Sequence, residues 1–73
     1  MKRKKDWRAI MGQIRLMFGD ERTMLSRQEV EALLGVERHT VYRLTEKGMP
    51  TVRVSERKTV YPVEELARWL AER

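Results

Sequence analysis

The chain has 73 residues, with 16 Lys and Arg against 11 Asp and Glu, one His and no Cys, giving a formal net charge of +5 and an isoelectric point near 10.1. That length allows one small domain with a single core, which buries only about 60% of its unfolded surface. Without cysteine there are no disulfides, thiol nucleophiles or thiolate metal sites, and the lone His39 cannot form a metal cluster. With no glycine-rich phosphate cradle and no convergent acid–base set, neither catalysis nor a cofactor or metal is expected.

The basic balance favours a polyanionic partner, nucleic acid first. No apolar run approaches the roughly 20 residues needed to cross a bilayer. Asp6, Arg8 and Arg15 stand where a signal peptide needs an uncharged stretch, so the expectation is a soluble cytoplasmic protein of a bacterial or phage-infected cell, associated with the nucleoid.

Met1 to Lys5 carries four cations, Lys2, Arg3, Lys4 and Lys5, and has nothing to bury, which predicts a disordered basic arm able to follow phosphates or enter a minor groove. A solvated basic end is the plain alternative. From about Asp6 to Phe18, the side chains of Trp7, Ile10, Met11, Ile14, Met17 and Phe18 recur at spacings of three and four, predicting an amphipathic helix capped by Asp6 and ended by Gly19 and Asp20. Gly12 inside it costs about 1 kcal/mol against alanine, so the helix depends on what its stripe packs upon. Three surfaces compete: the chain's own core, the same stripe on a second subunit, or a membrane beside the basic arm.

After a short polar connector, Asp20 to Met24, the stretch LSRQEVEALLGVERHTVYRLTEKG from Leu25 to Gly48 reads as two short helices joined by a tight turn. Ser26 and Glu29 form a capping box, and Leu25 with Val30 a hydrophobic staple, so a helix starts at Arg27. Val30, Leu33 and Leu34 share its apolar face, and Gly35 supplies the left-handed stop. A second helix runs from about Arg38 to Lys47, ended by Gly48 and Pro50. With Val41 and Leu44 turned inward, His39, Arg43 and Glu46 point away from the core, and Arg38, Thr40, Tyr42 and Lys47 lie on the flanks.

A helix, short turn and helix of this polarity place the second helix in a DNA major groove, where arginine reads guanine edges bidentately and Tyr, Thr and Lys hold phosphates. Arg38, His39, Thr40, Tyr42, Arg43 and Lys47 are the candidate contacts. The competing reading is a helical hairpin with a solvated charged face.

Thr51 to Val54 alternates polar and apolar residues, Ser55 to Lys58 is turn-like, and Thr59 to Tyr61 is β-prone, which predicts a hairpin. A four-residue loop would set Val54 opposite Thr59, and a longer one would pair it with Val60. A hairpin directly after such a helix is a wing, whose tip residues Arg57 and Lys58, with Arg53 pointing the same way, would reach flanking phosphates; edge protection and solubility would need the same cations. Pro62 suits a helix start, with Glu64 and Glu65 in the first turn, and the last helix covers the core with Val63, Leu66, Ala67, Trp69 and Leu70.

The segments LSRQEVEALLGVERHTVYRL, KGMPTVRV, the charged hairpin tip and YPVEELARWL, in that order, resemble the winged helix-turn-helix domains of the MerR superfamily, in particular its small excisionase-type and AlpA-like members. The resemblance spans residues 25 to 70. It implies a mainly α fold with a small β-hairpin wing, with Arg38, Thr40, Tyr42 and Arg43 at recognition-helix contact positions and Arg57 and Lys58 at the wing tip. It further implies architectural or regulatory binding of double-stranded DNA, often on repeated sites. Because one recognition helix reads few base pairs, self-association or cooperative assembly on DNA is a candidate property, and an integrase is a candidate partner. Two departures stand out. Glu37 occupies the position where Ser or Asp commonly caps the recognition helix, and the helix of residues 6 to 18 is an addition to the minimal domain.

The expected organisation is therefore a basic arm (1–5), an N-terminal amphipathic helix (6–19) and a winged helix-turn-helix domain (25–72). Its expected function is sequence-specific DNA binding, as a recombination directionality factor or a transcriptional regulator of a mobile element. Two alternatives are the DNA-recognition domain of a phage terminase small subunit, for which 73 residues leave little room, and a protein-interaction module that reuses the winged fold.

Overall fold

The structure, a computed structural model, describes residues 6–72; the basic arm Lys2, Arg3, Lys4 and Lys5 lies outside them. Helix α1 (Trp7–Phe18) begins at Asp6, whose side chain accepts a hydrogen bond from the Arg8 amide at 3.0 Å. Strand β1 (Met24–Ser26) leads directly into α2 (Arg27–Leu34), and a turn at Gly35 and Val36 leads to α3 (Arg38–Glu46). Strands β2 (Val52–Arg53) and β3 (Thr59–Pro62) form the wing, and α4 (Val63–Ala71) closes the fold.

The ends of α2 follow from its sequence. The Ser26 side chain accepts from the Glu29 amide at 3.1 Å while the Glu29 carboxylate accepts from the Ser26 amide at 2.8 Å, satisfying two donors that the helix leaves unpaired. Gly35 takes a left-handed conformation, φ 67°, and its amide and that of Val36 both return to the Glu31 carbonyl. Arg22 strengthens the start: it grips Glu29 with both Nη atoms, Nη1 donating to Oε2 at 2.6 Å, and also donates to the Met24 carbonyl at 3.1 Å. These hydrogen bonds, followed by the one from the Ser26 amide, hold the Glu29 carboxyl below the usual carboxylate range.

The connector before α2 is not wholly irregular, as its polarity suggested. Met24, Leu25 and Ser26 pair antiparallel with Pro62, Tyr61 and Val60, so the sheet has three strands in the order β1-β3-β2. Three residues with one apolar side chain facing the core give too short a pattern to read as a strand. The Val63 amide extends the pairing by donating to the Thr23 carbonyl at 2.9 Å.

The wing register also differs from both expected pairings. Val52 faces Val60 and Arg53 faces Thr59, so Val54 falls opposite Lys58 and donates to its carbonyl at 2.8 Å. The reason is a tight turn in which the Lys58 amide donates to the Ser55 carbonyl at 3.3 Å, closing the hairpin one residue earlier than a four-residue loop would.

The core collects Ile14, Leu25, Val30, Val41, Met49, Tyr61, Val63, Leu66 and Ala67, all buried. Met49 enters it because the chain folds back after α3, with Gly48 at φ 112° and the Met49 amide donating to the Leu44 carbonyl at 3.0 Å. Trp69 lies half-buried against the core with its Nε1 beneath Gly48, 3.6 Å from where a Cβ would stand.

Helix α1 lays its stripe on α4. Ile14 is fully buried, and Trp7, Ile10, Met11 and Phe18 pack around it, which leaves Met17 as the exposed member of the six, at 43%. The Arg68 guanidinium sits 4.1 Å from the Trp7 ring centroid and that of Arg8 5.3 Å, so the aromatic edge of this contact is covered by cations from both helices.

Two measurements check this account. A Cβ added at Gly12 meets nothing within 4 Å, so Gly12→Ala is expected to stabilise the fold by about 0.5–1 kcal/mol, read as a higher urea midpoint at unchanged slope. The Glu29 carboxyl titrates lower in the folded chain than in the unfolded one, so its contribution is fully present above the ordinary carboxylate range and lost as pH falls through the lower folded value. Glu29→Gln is therefore expected to flatten the acid limb of the stability curve below about pH 5; an unchanged limb would show that the Arg22 pair contributes nothing.

Candidate nucleic-acid interface

The orientation of α3 sets the site. Val41 is fully buried and Leu44 packs partly against the core, which turns Arg38, His39, Tyr42, Arg43 and Lys47 outward to exposed positions and leaves Thr40 half-buried. Glu46, on the same outer surface, is exposed as well. Glu37 is the N-cap residue without making a side-chain capping bond; its carboxylate lies 3.5 Å from His39 Nδ1 instead. The amides of the first turn of α3 are thus left without a side-chain acceptor from Glu37.

Helix α3 and the wing meet in a cleft of about 340 Å³. Tyr42 and Thr45 come from α3, Arg57 and Lys58 from the wing turn, and Arg27 and Gln28 from the start of α2. Among the described residues no Asp or Glu lines it. The cleft thus combines three cations and several hydroxyls from three separate elements, a chemistry suited to phosphate oxygens. Burial pushes the phenol of Tyr61, which forms the floor, above its ordinary value and keeps it a neutral hydrogen-bonding group.

The sequence-derived candidates fall into two groups once their partners are known. Arg53 is committed within the wing, its Nε directed to the Ser55 carbonyl at 3.4 Å and its Nη2 to that of Glu56 at 3.1 Å. It braces the turn that carries Arg57 and Lys58. By contrast, among the described residues Arg38, Arg43, Lys47, Arg57 and Lys58 have no ion pair and no side-chain hydrogen bond. Arg8 and Arg15 on α1 are the other arginines of this kind among the described residues, Arg8 lying over the Trp7 ring, whereas Arg22, Arg27 and Arg68 each pair with a carboxylate. The unpaired cations are concentrated on α3 and the wing tip, a surface where counterion release would give binding energy.

Residues 27, 28 and 45 were not among the candidates read from the sequence. Arg27 donates from Nε to Glu31 at 3.1 Å and from Nη1 to the Tyr42 hydroxyl at 3.3 Å, and the Thr45 hydroxyl donates to the Val41 carbonyl at 3.0 Å. The local sign for Arg27 was its position. A cation in the first turn of a helix opposes the helix dipole, so its presence needs a reason outside the helix.

Comparison with curated proteins and with solved structures gives no match. A protein-family model, Helix-turn-helix domain, matches residues 24–73, from the first residue of β1 onward, and leaves α1 outside the matched segment. Among the described residues no helix is long and apolar enough to cross a membrane. With two thirds of the chain matched and the outward-facing α3 beside its wing, this protein belongs to the helix-turn-helix domain family and is a small domain for binding double-stranded DNA.

Proposed function

We propose that the chain is a sequence-specific regulator of the excisionase or AlpA type, acting on DNA of a mobile element either as a recombination directionality factor alongside an integrase or as a transcriptional regulator. The observation that carries this reading is the set of unpartnered cations on α3 and the wing turn, on a helix whose rotation is fixed by buried Val41. The mechanism is binding energy alone. Arg43, with Arg38 and His39, faces the base edges of the major groove; Thr40, Lys47, Arg57 and Lys58 hold the phosphates on either side. Arg53 supports this by keeping the wing turn closed.

Helix α1 takes no part in the groove. Its stripe is spent on the chain's own core, so any cooperativity between protomers on adjacent sites arises from DNA geometry and from exposed residues such as Leu16 and Met17. A footprint on the DNA flanking the gene separates the two biological roles, since tandem sites beside an attachment region indicate excision and a promoter operator indicates regulation.

Arg43→Ala is expected to weaken the preferred site by about 1–3 kcal/mol and random duplex much less. Replacing Arg57 and Lys58 together by Ala is expected to weaken both equally and to reduce the salt slope by roughly two units. Titrations by fluorescence anisotropy at several salt concentrations read both. Equal loss on all sequences for Arg43→Ala would remove base reading from α3, and an unchanged slope for the double variant would remove the wing from the interface.

A further inference from the structure

We infer that Arg27 and Tyr42 grip one DNA phosphate together in the cleft between α2, α3 and the wing, with Arg27 fixing the direction in which the Tyr42 hydroxyl donates. This rests on the DNA-binding reading above and adds to it a contact from α2, the helix that does not read bases.

The geometry follows from a count of donors. A guanidinium has five N–H groups in a planar fork and no acceptor. Arg27 uses Nε toward Glu31 at 3.1 Å, a pairing one helical turn away that anchors the plane of the fork, and Nη1 toward Tyr42 at 3.3 Å. Its Nη2 donors are uncommitted among the described residues, and its side chain keeps 32% of its surface exposed.

The Tyr42 hydroxyl has one proton. Because it accepts from Arg27, its lone pair is engaged on that side and its O–H is left to donate outward; Tyr42 is 51% exposed. Two donors, one cationic and one phenolic, are therefore left on residues that line a cleft also lined by Arg57 and Lys58, with no carboxylate in the lining among the described residues. A tetrahedral phosphodiester oxygen pair matches such a donor set, and the nearby cation strengthens the phenolic hydrogen bond by polarising it. Arg27 is thus a positioning residue for Tyr42 as well as a phosphate ligand, and it ties the register of α3 on the duplex to the start of α2.

The test is a double-mutant cycle on the full chain, with Arg27→Ala, Tyr42→Phe and both together, titrated against a duplex carrying the preferred site and against copies bearing single neutral methylphosphonates. Each single variant is expected to bind about tenfold more weakly on preferred and random duplex alike, the loss of one hydrogen bond to a charged group, and the double variant hardly more than either. One methylphosphonate position should weaken the parent and have no further effect on either variant.

Arg27→Lys keeps a cation and a helix former at the same place, and covers the case in which Arg27→Ala fails to fold. It is expected to restore the salt slope without restoring the coupling to Tyr42, because an ammonium cannot hold Glu31 and Tyr42 in one plane. Additive losses, or a methylphosphonate effect unchanged in both variants, would overturn the Arg27–Tyr42 pairing and leave DNA binding intact. A parent chain without salt-dependent affinity for any duplex would overturn both.

Discussion

The burial of Val41 is the constraint on which the interface depends. Its side chain has no exposed surface, and together with Leu44 it fixes the rotation of α3 about its axis. Burying a valine contributes roughly 1.5–3 kcal/mol, whereas turning the helix far enough to bring Arg43 inward would also bury a guanidinium without a partner, at a cost of several kcal/mol more. Both terms favour the same orientation. The charged surface of α3 is therefore a consequence of core packing, and a substitution in the core that lets α3 rotate is expected to alter DNA affinity without touching a contact residue.

The wing is held to that frame by the sheet. Tyr61, buried at the centre of β3, pairs with Leu25 of β1 on one side, and Val60 next to it pairs with Val52 of β2 on the other, so the strand that anchors the wing is also the strand that packs on the start of α2. This explains how a hairpin whose first strand, β2, is exposed keeps its tip beside α3. Isolated two-stranded hairpins are marginal in water, and a third strand with a core-facing side chain supplies the missing support. The Arg53 hydrogen bonds to the turn carbonyls then set the tip itself.

Much of this was legible in the sequence, because its signals are local. The capping box at Ser26 and Glu29, the left-handed Gly35, the stop at Gly48 and the three-residue spacing of Val41 and Leu44 are each written within a few positions, and each sets one helix end or one face. What escaped depends on residues far apart in the chain. The pairing of Met24–Ser26 with β3, the entry of Met49 into the core and the reach of Arg27 across 15 residues to Tyr42 are tertiary events with no periodic trace. The wing register failed for a related reason, since one tight turn at Ser55–Lys58 shifts the whole ladder by a residue. The spacing marks the apolar stripe of α1, while the exposure of Met17 at its margin and the partner of the stripe, α4, follow only from the fold.

The most direct measurement is a titration of the folded chain with duplex DNA, followed residue by residue through backbone and side-chain NMR shifts. Changes are expected only on the outward side of α3, at Arg38, His39, Tyr42 and Arg43, in the wing turn at Arg57 and Lys58, and at the start of α2 at Arg27, with Val41 and Ile14 unmoved. Shifts clustered instead on the outer faces of α1 and α4, with the α3 surface silent, would contradict this placement of the interface.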